Sequence, residues 1–173
     1  MKAGFGLALT AALALAAPAL ADHHKSDEMK PANATATYVG TDGNSIGDAT
    51  LTETVNGVLI KAEIESLPAE DWVAFHIHEK GACDPDTGFK SAGGHFAPHG
   101  NKHGFLVEGG PHAGDMPNQY VGADGVLRTQ VLNTAISIAD VKGRSLMIHA
   151  GTDDYESQPS GAAGNRIACA VIE

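Results

Sequence analysis

Short runs in which apolar and polar residues alternate, separated by turn signals, constrain the fold of this chain more than any other feature of its sequence. In LTETVNGVLIKAEI, Asn56-Gly57 separates two such runs, which predicts a hairpin with Val55 opposite Val58 across a type I′ turn. Further strands are predicted from 72 to 79, on either side of Asp124-Gly125, from 146 to 149 and from 166 to 172. No run has the period for more than a turn or two of helix. We therefore expect an all-β chain, an antiparallel sandwich or barrel.

Two connections are longer than such a fold needs. Residues 80–118 form a 39-residue stretch with nine glycines, four prolines and no hydrophobic period, and residues 150–165 form a shorter one that is acidic at its start. Loops of this length are usually functional or disordered. The longer loop contains His95, His99, His103, His112 and Asp115. Metal binding would supply the order that its composition lacks.

Three more histidines lie on predicted strands. Alternation directs the apolar residues of 72–79 to the core and His76 and His78 to the outer face, and it directs His149 outward from its own strand. Three imidazoles on a rigid sheet suit copper or zinc, although the H-x-H pair alone leaves open that both residues are simply solvated. A complete tetrahedral set for Zn²⁺ is offered by His95, His103, His112 and Asp115.

The N-terminus has the pattern of an exported protein. Residues 1–21 combine a basic start, an apolar run and an A-x-A site, which predicts a signal peptide cut after Ala21; a membrane anchor is the alternative. Residues 22–34 are predicted to be a flexible tail. After cleavage, its first three residues, Asp22-His23-His24, would offer a free amine, two backbone amides and an imidazole to Cu(II). The alternative is that these residues have no role.

Cysteine count and net charge narrow the class of partner. Export implies an oxidising compartment, so Cys83 and Cys169, the only two cysteines, are expected to form one disulfide, with two separate buried thiols as the alternative. The net charge is -10, and loss of residues 1–21 removes one lysine and no acid, leaving -11. Such a charge disfavours nucleic acid as a partner. After signal cleavage no association with a membrane is expected.

Five separated motifs, AFHIHEKGAC, GGHFAPHGNKHG, PHAGD, MIHAGTDD and GNRIACAVI, resemble in order and spacing those of copper–zinc superoxide dismutases of the bacterial periplasmic type. The resemblance covers residues 35–173. It implies an eight-stranded antiparallel Greek-key β-barrel with two long functional loops. It also implies one copper and one zinc ion per subunit, superoxide as the substrate, a periplasmic location, and a monomer or a homodimer.

The resemblance also implies roles for individual residues. His76, His78 and His149 correspond to copper ligands, His95 to the imidazolate between copper and zinc, and His103, His112 and Asp115 to the other zinc ligands. Asp153 corresponds to the carboxylate that links His76 to His103, Arg166 to the guanidinium that attracts superoxide, and Cys83 and Cys169 to the disulfide that ties the long loop to the last strand. His99 corresponds to no ligand.

This sequence departs from the family pattern at two places. Ala74 stands where the family commonly has glycine, and residues 151–165 contain no lysine. Lys80, Lys90 or Lys102 could instead steer the substrate. Three other functions remain to be distinguished: a copper carrier, a zinc-only structural relative, and a hydrolase, for which the G-x-S-x-G motif is absent.

Overall fold

The computed structural model describes Met1 and residues 33–173, so the predictions for residues 1–21 and for Asp22-His23-His24 lie outside the described residues. The described residues form nine strands: β1 (Asn33–Gly40), β2 (Ser45–Thr54), β3 (Gly57–Ile64), β4 (Trp72–Val73), β5 (Phe75–His78), β6 (Gln119–Tyr120), β7 (Leu127–Asn133), β8 (Ser145–His149) and β9 (Arg166–Val171). One four-residue helix, α1 (Ile138–Val141), and two 3₁₀ turns, Pro85–Thr87 and Lys90–Ala92, complete the secondary structure of residues 33–173. β1 begins two residues before the predicted start of the folded domain. No described helix has the length and apolar character needed to cross a membrane.

The strands form a closed antiparallel arrangement. Seven of them pair in the order β5-β8-β9-β1-β2-β3-β7, and β4 pairs with β6. A bridge between Val121 and Leu127 joins β6 to β7, and only Ala74 separates β4 from β5. Counting β4 and β5 as one interrupted strand gives eight strands around a barrel. The chain leaves β3 for β4 and returns through β6 to β7, which pairs with β3, so the predicted Greek-key connection is confirmed.

Alternation along the strands fills the barrel. In β3, the side chains of Val58, Ile60 and Ile64 are buried, while those of Lys61 and Glu63 are exposed. Burying an aliphatic side chain of this size stabilises the fold by about 1.5–3 kcal/mol. The interior is therefore a continuous apolar core.

The first hairpin forms, but not in the predicted register. Thr54 pairs with Gly57, so the turn is centred on Val55 and Asn56 rather than on Asn56 and Gly57. Neither central residue has the positive φ that a type I′ turn requires. Gly57 instead takes φ +119°, and a Cβ there would overlap the Asn133 carbonyl oxygen of the neighbouring strand. Close approach by β7 therefore explains the glycine.

The long loop is attached to the barrel along the free edge of β5. Ile77 donates its backbone N–H to Gly114 O (2.8 Å) and accepts a bond from the N–H of Phe96 (2.8 Å), and Glu79 N–H donates to Gly94 O (2.9 Å). The predicted disulfide between Cys83 and Cys169 is present. A second apolar cluster packs around it, formed by Phe89, Ala92, Met147 and Cys169. The loop is thus held by the sheet at both of its ends.

Candidate metal centre

The first histidine cluster lies on the outer face of β5 and β8. His76 and His78 point away from the core residues Phe75 and Ile77, as alternation predicts, and His149 joins them from β8. The fourth member, His95, comes from the long loop. All four are buried, because the two loops cover this face of the barrel. Their burial excludes the alternative that His76 and His78 are solvated surface residues.

Each of the three strand histidines gives one ring N–H to a protein oxygen. His78 Nδ1 lies 3.0 Å from Gly93 O, His149 Nδ1 lies 3.3 Å from Gly164 O, and His76 Nε2 lies 2.8 Å from the Asp153 carboxylate. A neutral imidazole that donates through one nitrogen keeps a lone pair on the other. The remaining nitrogens therefore face one another, and the ligand atoms of this cluster lie within 4.8 Å of one another.

The second cluster is organised around the Asp115 carboxylate. Asp115 Oδ1 lies 2.9 Å from His95 Nδ1 and 3.2 Å from His112 Nδ1, and Oδ2 lies 3.1 Å from His103 Nδ1. Backbone N–H groups of Gly104 and His112 also donate to Oδ2. Burial by itself raises the pKa of Asp115, but the hydrogen bonds from His95 and Gly104 and the neighbouring histidines lower that pKa below its usual value. The carboxylate is therefore anionic at neutral pH.

His95 belongs to both clusters. Its Nδ1 is directed at Asp115, while its Nε2 is buried without a hydrogen-bond partner among the described residues. Its ring centroid is 4.0 Å from that of His76. One imidazole therefore presents a nitrogen to each group of ligands.

The donor atoms fit the two metals that the sequence predicts. Three buried ring nitrogens have no hydrogen-bond partner among the described residues: His76 Nδ1, His95 Nε2 and His103 Nδ1, whose 3.1 Å approach to Asp115 Oδ2 does not have the geometry of a hydrogen bond. An unpaired buried polar atom costs about 1–3 kcal/mol, and a bound cation removes that cost. Four imidazoles suit copper, and three imidazoles with one carboxylate suit zinc.

Burial keeps the first cluster neutral. Loss of hydration, with a smaller effect from the neighbouring His95, lowers the pKa of His78 to about 2. Burial likewise lowers the pKa of His149 to about 4 and that of His76 well below its usual value. Neutral imidazoles have a lone pair available for a metal at physiological pH.

One carboxylate connects the two clusters. Asp153 Oδ2 accepts from His76 Nε2 (2.8 Å), and Asp153 Oδ1 accepts from His103 Nε2 (2.9 Å). All three side chains are buried. The same carboxylate therefore sets the tautomer of one histidine in each cluster.

Arg166 lies at the mouth of the first cluster. Its guanidinium donates to Phe89 O and to Gly93 O, each at 2.6 Å. It lines a pocket of about 450 Å³ that also includes Lys90, His95, His149, Ser160 and Asn165. Burial lowers the pKa of Arg166 below its usual value, and the charge of Arg166 contributes to the low pKa of His78 and His149.

Most of the other residues that the sequence singles out lie outside the two clusters and the pocket. His99 is exposed and belongs to neither cluster, and of the three lysines considered for steering only Lys90 lines this pocket. Sequence reasoning missed two amide side chains, Asn118 and Gln158, which bond to the backbone of Asp153 and His103. No sequence pattern marks an amide that acts on a distant backbone.

Comparison with known proteins agrees with this geometry. The family model described as copper/zinc superoxide dismutase (SODC) matches residues 45–172. Cu-Zn superoxide dismutase 2 of Aquifex aeolicus (strain VF5) is 51% identical over 145 residues, covering 79% of this chain and 84% of the relative. The Escherichia coli (strain K12) Cu-Zn superoxide dismutase is 37% identical over 140 residues, covering 76% and 80%.

A solved structure gives the same result for the fold. The Cu/Zn superoxide dismutase from Brucella abortus superposes with a TM-score of 0.72 at 32% sequence identity, covering 82% of this chain and all of that one. Two histidine clusters that share one imidazole, on a Greek-key barrel with this degree of similarity, place the chain in the copper/zinc superoxide dismutase family.

Proposed function

We propose that this protein is an exported superoxide dismutase with one copper and one zinc ion per subunit. The copper ligands are His76, His78, His95 and His149, and the zinc ligands are His95, His103, His112 and Asp115. The observation that carries the proposal is the position of His95, because an imidazole shared by two complete ligand sets has no use in a site for a single ion.

Bound copper, alternating between Cu(II) and Cu(I), supplies the one-electron chemistry that oxidises one superoxide to dioxygen and reduces a second, with two protons, to hydrogen peroxide. The protein has to hold ligands that serve both oxidation states. Paired strands β5 and β8 fix the backbone of three histidines, and hydrogen bonds to Gly93, Gly164 and Asp153 fix their rings. The ligand geometry is therefore set by the barrel.

His95 is suited to hold a proton. Its Nδ1 stays directed at the second cluster, and Nε2 is the atom at which a proton can be taken up and released. Burial, although opposed by Asp115, lowers the pKa of His95. A proton held there is therefore readily given to a basic peroxide anion in the pocket.

Arg166 binds and orients the anionic substrate. Its two bonds to backbone carbonyls use two of the five N–H donors, so others can reach an anion in the pocket. Lys90 adds a second positive charge to the pocket lining. These charges outweigh the net charge of -11 that the chain carries without residues 1–21, because charges more than about 8–10 Å away are screened at physiological salt.

Two features support export to the periplasm. Residues 1–21, outside the described part of the chain, have the pattern of a signal peptide. The Cys83–Cys169 disulfide is typical of proteins that function in oxidising compartments.

Elemental analysis combined with a superoxide-consumption assay tests the proposal. We expect one copper and one zinc per chain and rapid consumption of superoxide. His149→Ala should lose copper and activity while keeping zinc, whereas His99→Ala, an exposed histidine of the long loop, should match the wild type. A protein that binds copper but consumes no superoxide would be a carrier, and one that holds only zinc would be a structural relative. A hydrolase would consume no superoxide either.

A further inference from the structure

The backbone of His103 is held by a side chain from the other loop. The carboxamide of Gln158 accepts from the His103 N–H through Oε1 (3.0 Å) and donates through Nε2 to the His103 carbonyl (2.8 Å). The same Nε2 also donates to Glu156 O (2.9 Å), which fixes the plane of the amide. Gln158 therefore pairs with His103 as a neighbouring strand would, from 55 residues away.

His103 differs in this respect from the other proposed ligands. His76, His78 and His149 lie in paired strands, and His95 and Asp115 form backbone bridges to β5. The backbone N–H of His112 donates to the Asp115 carboxylate, and its carbonyl accepts from the Asp115 N–H. Within residues 33–173, the two polar backbone groups of His103 make hydrogen bonds only to Gln158.

A second amide holds the partner of His103 in the same way. Asn118 accepts from the Asp153 N–H through Oδ1 (2.8 Å) and donates through Nδ2 to the Asp153 carbonyl (2.9 Å). The hydrogen bond between His103 Nε2 and Asp153 is therefore braced at both ends. Each loop supplies the amide that holds a residue of the other loop.

We propose that Gln158 is a positioning residue for the second metal. By fixing the His103 backbone it directs Nε2 to Asp153 and leaves Nδ1 facing Asp115, where the zinc ligands converge. The inference rests on the proposed function, in which His103 is a zinc ligand. Without the amide, His103 can turn away from the site, so zinc leaves faster.

Gln158 is exposed, so its replacement opens no cavity. Gln158→Met keeps the length of the side chain and removes all three hydrogen bonds. Gln130→Met is the matched control, because Gln130 is an exposed residue of β7 whose side chain makes no hydrogen bond to the described residues. Gln158→Glu, which keeps an acceptor and loses the donor, gives a second test if the Met variant does not fold.

The measurement is zinc release from the holoenzyme to excess chelator, followed with a zinc indicator. We expect release from Gln158→Met to be at least tenfold faster than from the wild type, with copper content unchanged and Gln130→Met like the wild type. Cobalt(II) in the zinc site should also show shifted visible absorption bands in the Gln158 variant, which a loss of overall stability alone would not produce.

The outcomes separate this inference from the proposed function. A wild type that binds no zinc and consumes no superoxide refutes the proposed function, and this inference with it. The positioning role alone is refuted if the wild type holds both metals and Gln158→Met has the zinc release rate and the cobalt bands of the wild type. That conclusion stands even if the variant melts at a lower temperature.

Discussion

The two nitrogens of each imidazole have separate tasks at this site. In His76 and His103 the Nε2–H donates to Asp153, so only Nδ1 has a lone pair for a metal. In His78 and His149 the Nδ1–H donates to a backbone carbonyl, so the lone pair is on Nε2. In the proposed function the hydrogen bond of one nitrogen therefore decides which atom meets the metal, and we expect replacement of the acceptor to disturb a ligand that the mutation does not touch.

We expect Arg166 to contribute to the proposed function through its charge and not through metal binding. We expect Arg166→Glu to retain copper and zinc and to lower the second-order rate with superoxide at least tenfold, because a negative charge then repels the anion from the pocket. Arg166→Lys should lose less, since it keeps the charge but not the paired bonds to Phe89 O and Gly93 O. Stopped-flow rates at several salt concentrations measure both effects.

Arg128→Glu is the control, since it changes the net charge equally on the exposed side of β7, where Arg128 contacts Glu63 and Asp124. Its rate should stay within twofold of the wild type. Equal losses in the Arg128 and Arg166 variants would mean that net charge matters and the position of the guanidinium does not.

Both edges of β5 hold parts of the site. One edge pairs with β8, and the other carries the loop segments around residues 94–96 and 114–115. The bonds that hold those segments join backbone groups to β5 and involve no proposed ligand atom. We therefore expect a bound zinc ion to order only the part of the long loop between them, whereas the sequence alone predicts that the ion orders all 39 residues.

Removing one zinc ligand should loosen that intervening part alone. In His112→Ala we expect trypsin to cut after Lys102, which lies between the anchored segments, and to spare Lys90, which opens a 3₁₀ turn next to the buried Phe89. Mass spectrometry of timed digests identifies the first cut. His99→Ala should digest like the wild type. First cleavage after Lys90 would show that zinc orders the whole loop.

The disulfide connects this loop to β9. Cys83 and Cys169 are 86 residues apart, and the chain-entropy model for a loop of that length gives about 4–5 kcal/mol of stability. We expect Cys83→Ala/Cys169→Ala to lose about that free energy of unfolding in urea. The activity should also fall by a larger fraction than the copper content. The reason is that Arg166 donates to the Phe89 carbonyl, and Phe89 packs in the apolar cluster around this disulfide. A loss below about 1 kcal/mol with full activity would contradict this structural role.

At the scale of the whole molecule, the sequence predicts which residues form strands and which histidines cluster better than it predicts the register and contacts between distant segments. Alternation identifies which side chains of 72–79 face the core, because it depends only on local geometry. The register of the first hairpin is different: pairing Val55 with Val58 or Thr54 with Gly57 leaves the same residues facing inward, so the pattern cannot choose between them. The contact of Gly57 with Asn133 decides, and it joins strands distant in sequence.

The same limit applies at the metal centre. Residue type and spacing identify the histidines, since few side chains can bind copper or zinc. The contacts of Gln158 with His103 and of Asn118 with Asp153 depend on how two loops meet, so they could not be predicted. The burial of His76 and His78 beneath those loops has the same origin.

Burying so many neutral histidines makes the stability of the metal-free protein depend on pH. The pKa of His78 falls from 6.5 to about 2 and that of His149 to about 4 on folding, mainly through loss of hydration. Above pH 6.5 these groups are neutral in both states, and their pKa shifts cost no stability. Below pH 6.5 these histidines are protonated in the unfolded chain but stay neutral in the folded chain, so acid lowers the free energy of unfolding. The effect of His149 continues down to about pH 4 and that of His78 down to about pH 2.

Each of these histidines should therefore lower the free energy of unfolding by about 1.4 kcal/mol for every pH unit below 6.5. Urea denaturation of the metal-free protein at pH 7, 6 and 5 measures the slope. His149→Ala removes one such group, so its slope should be shallower by about 1.4 kcal/mol per unit, while His99→Ala, at an exposed position, should keep the wild-type slope. A stability that stays constant between pH 7 and 5 would mean that the buried imidazoles take up protons in the folded state, contrary to the burial seen at β5 and β8.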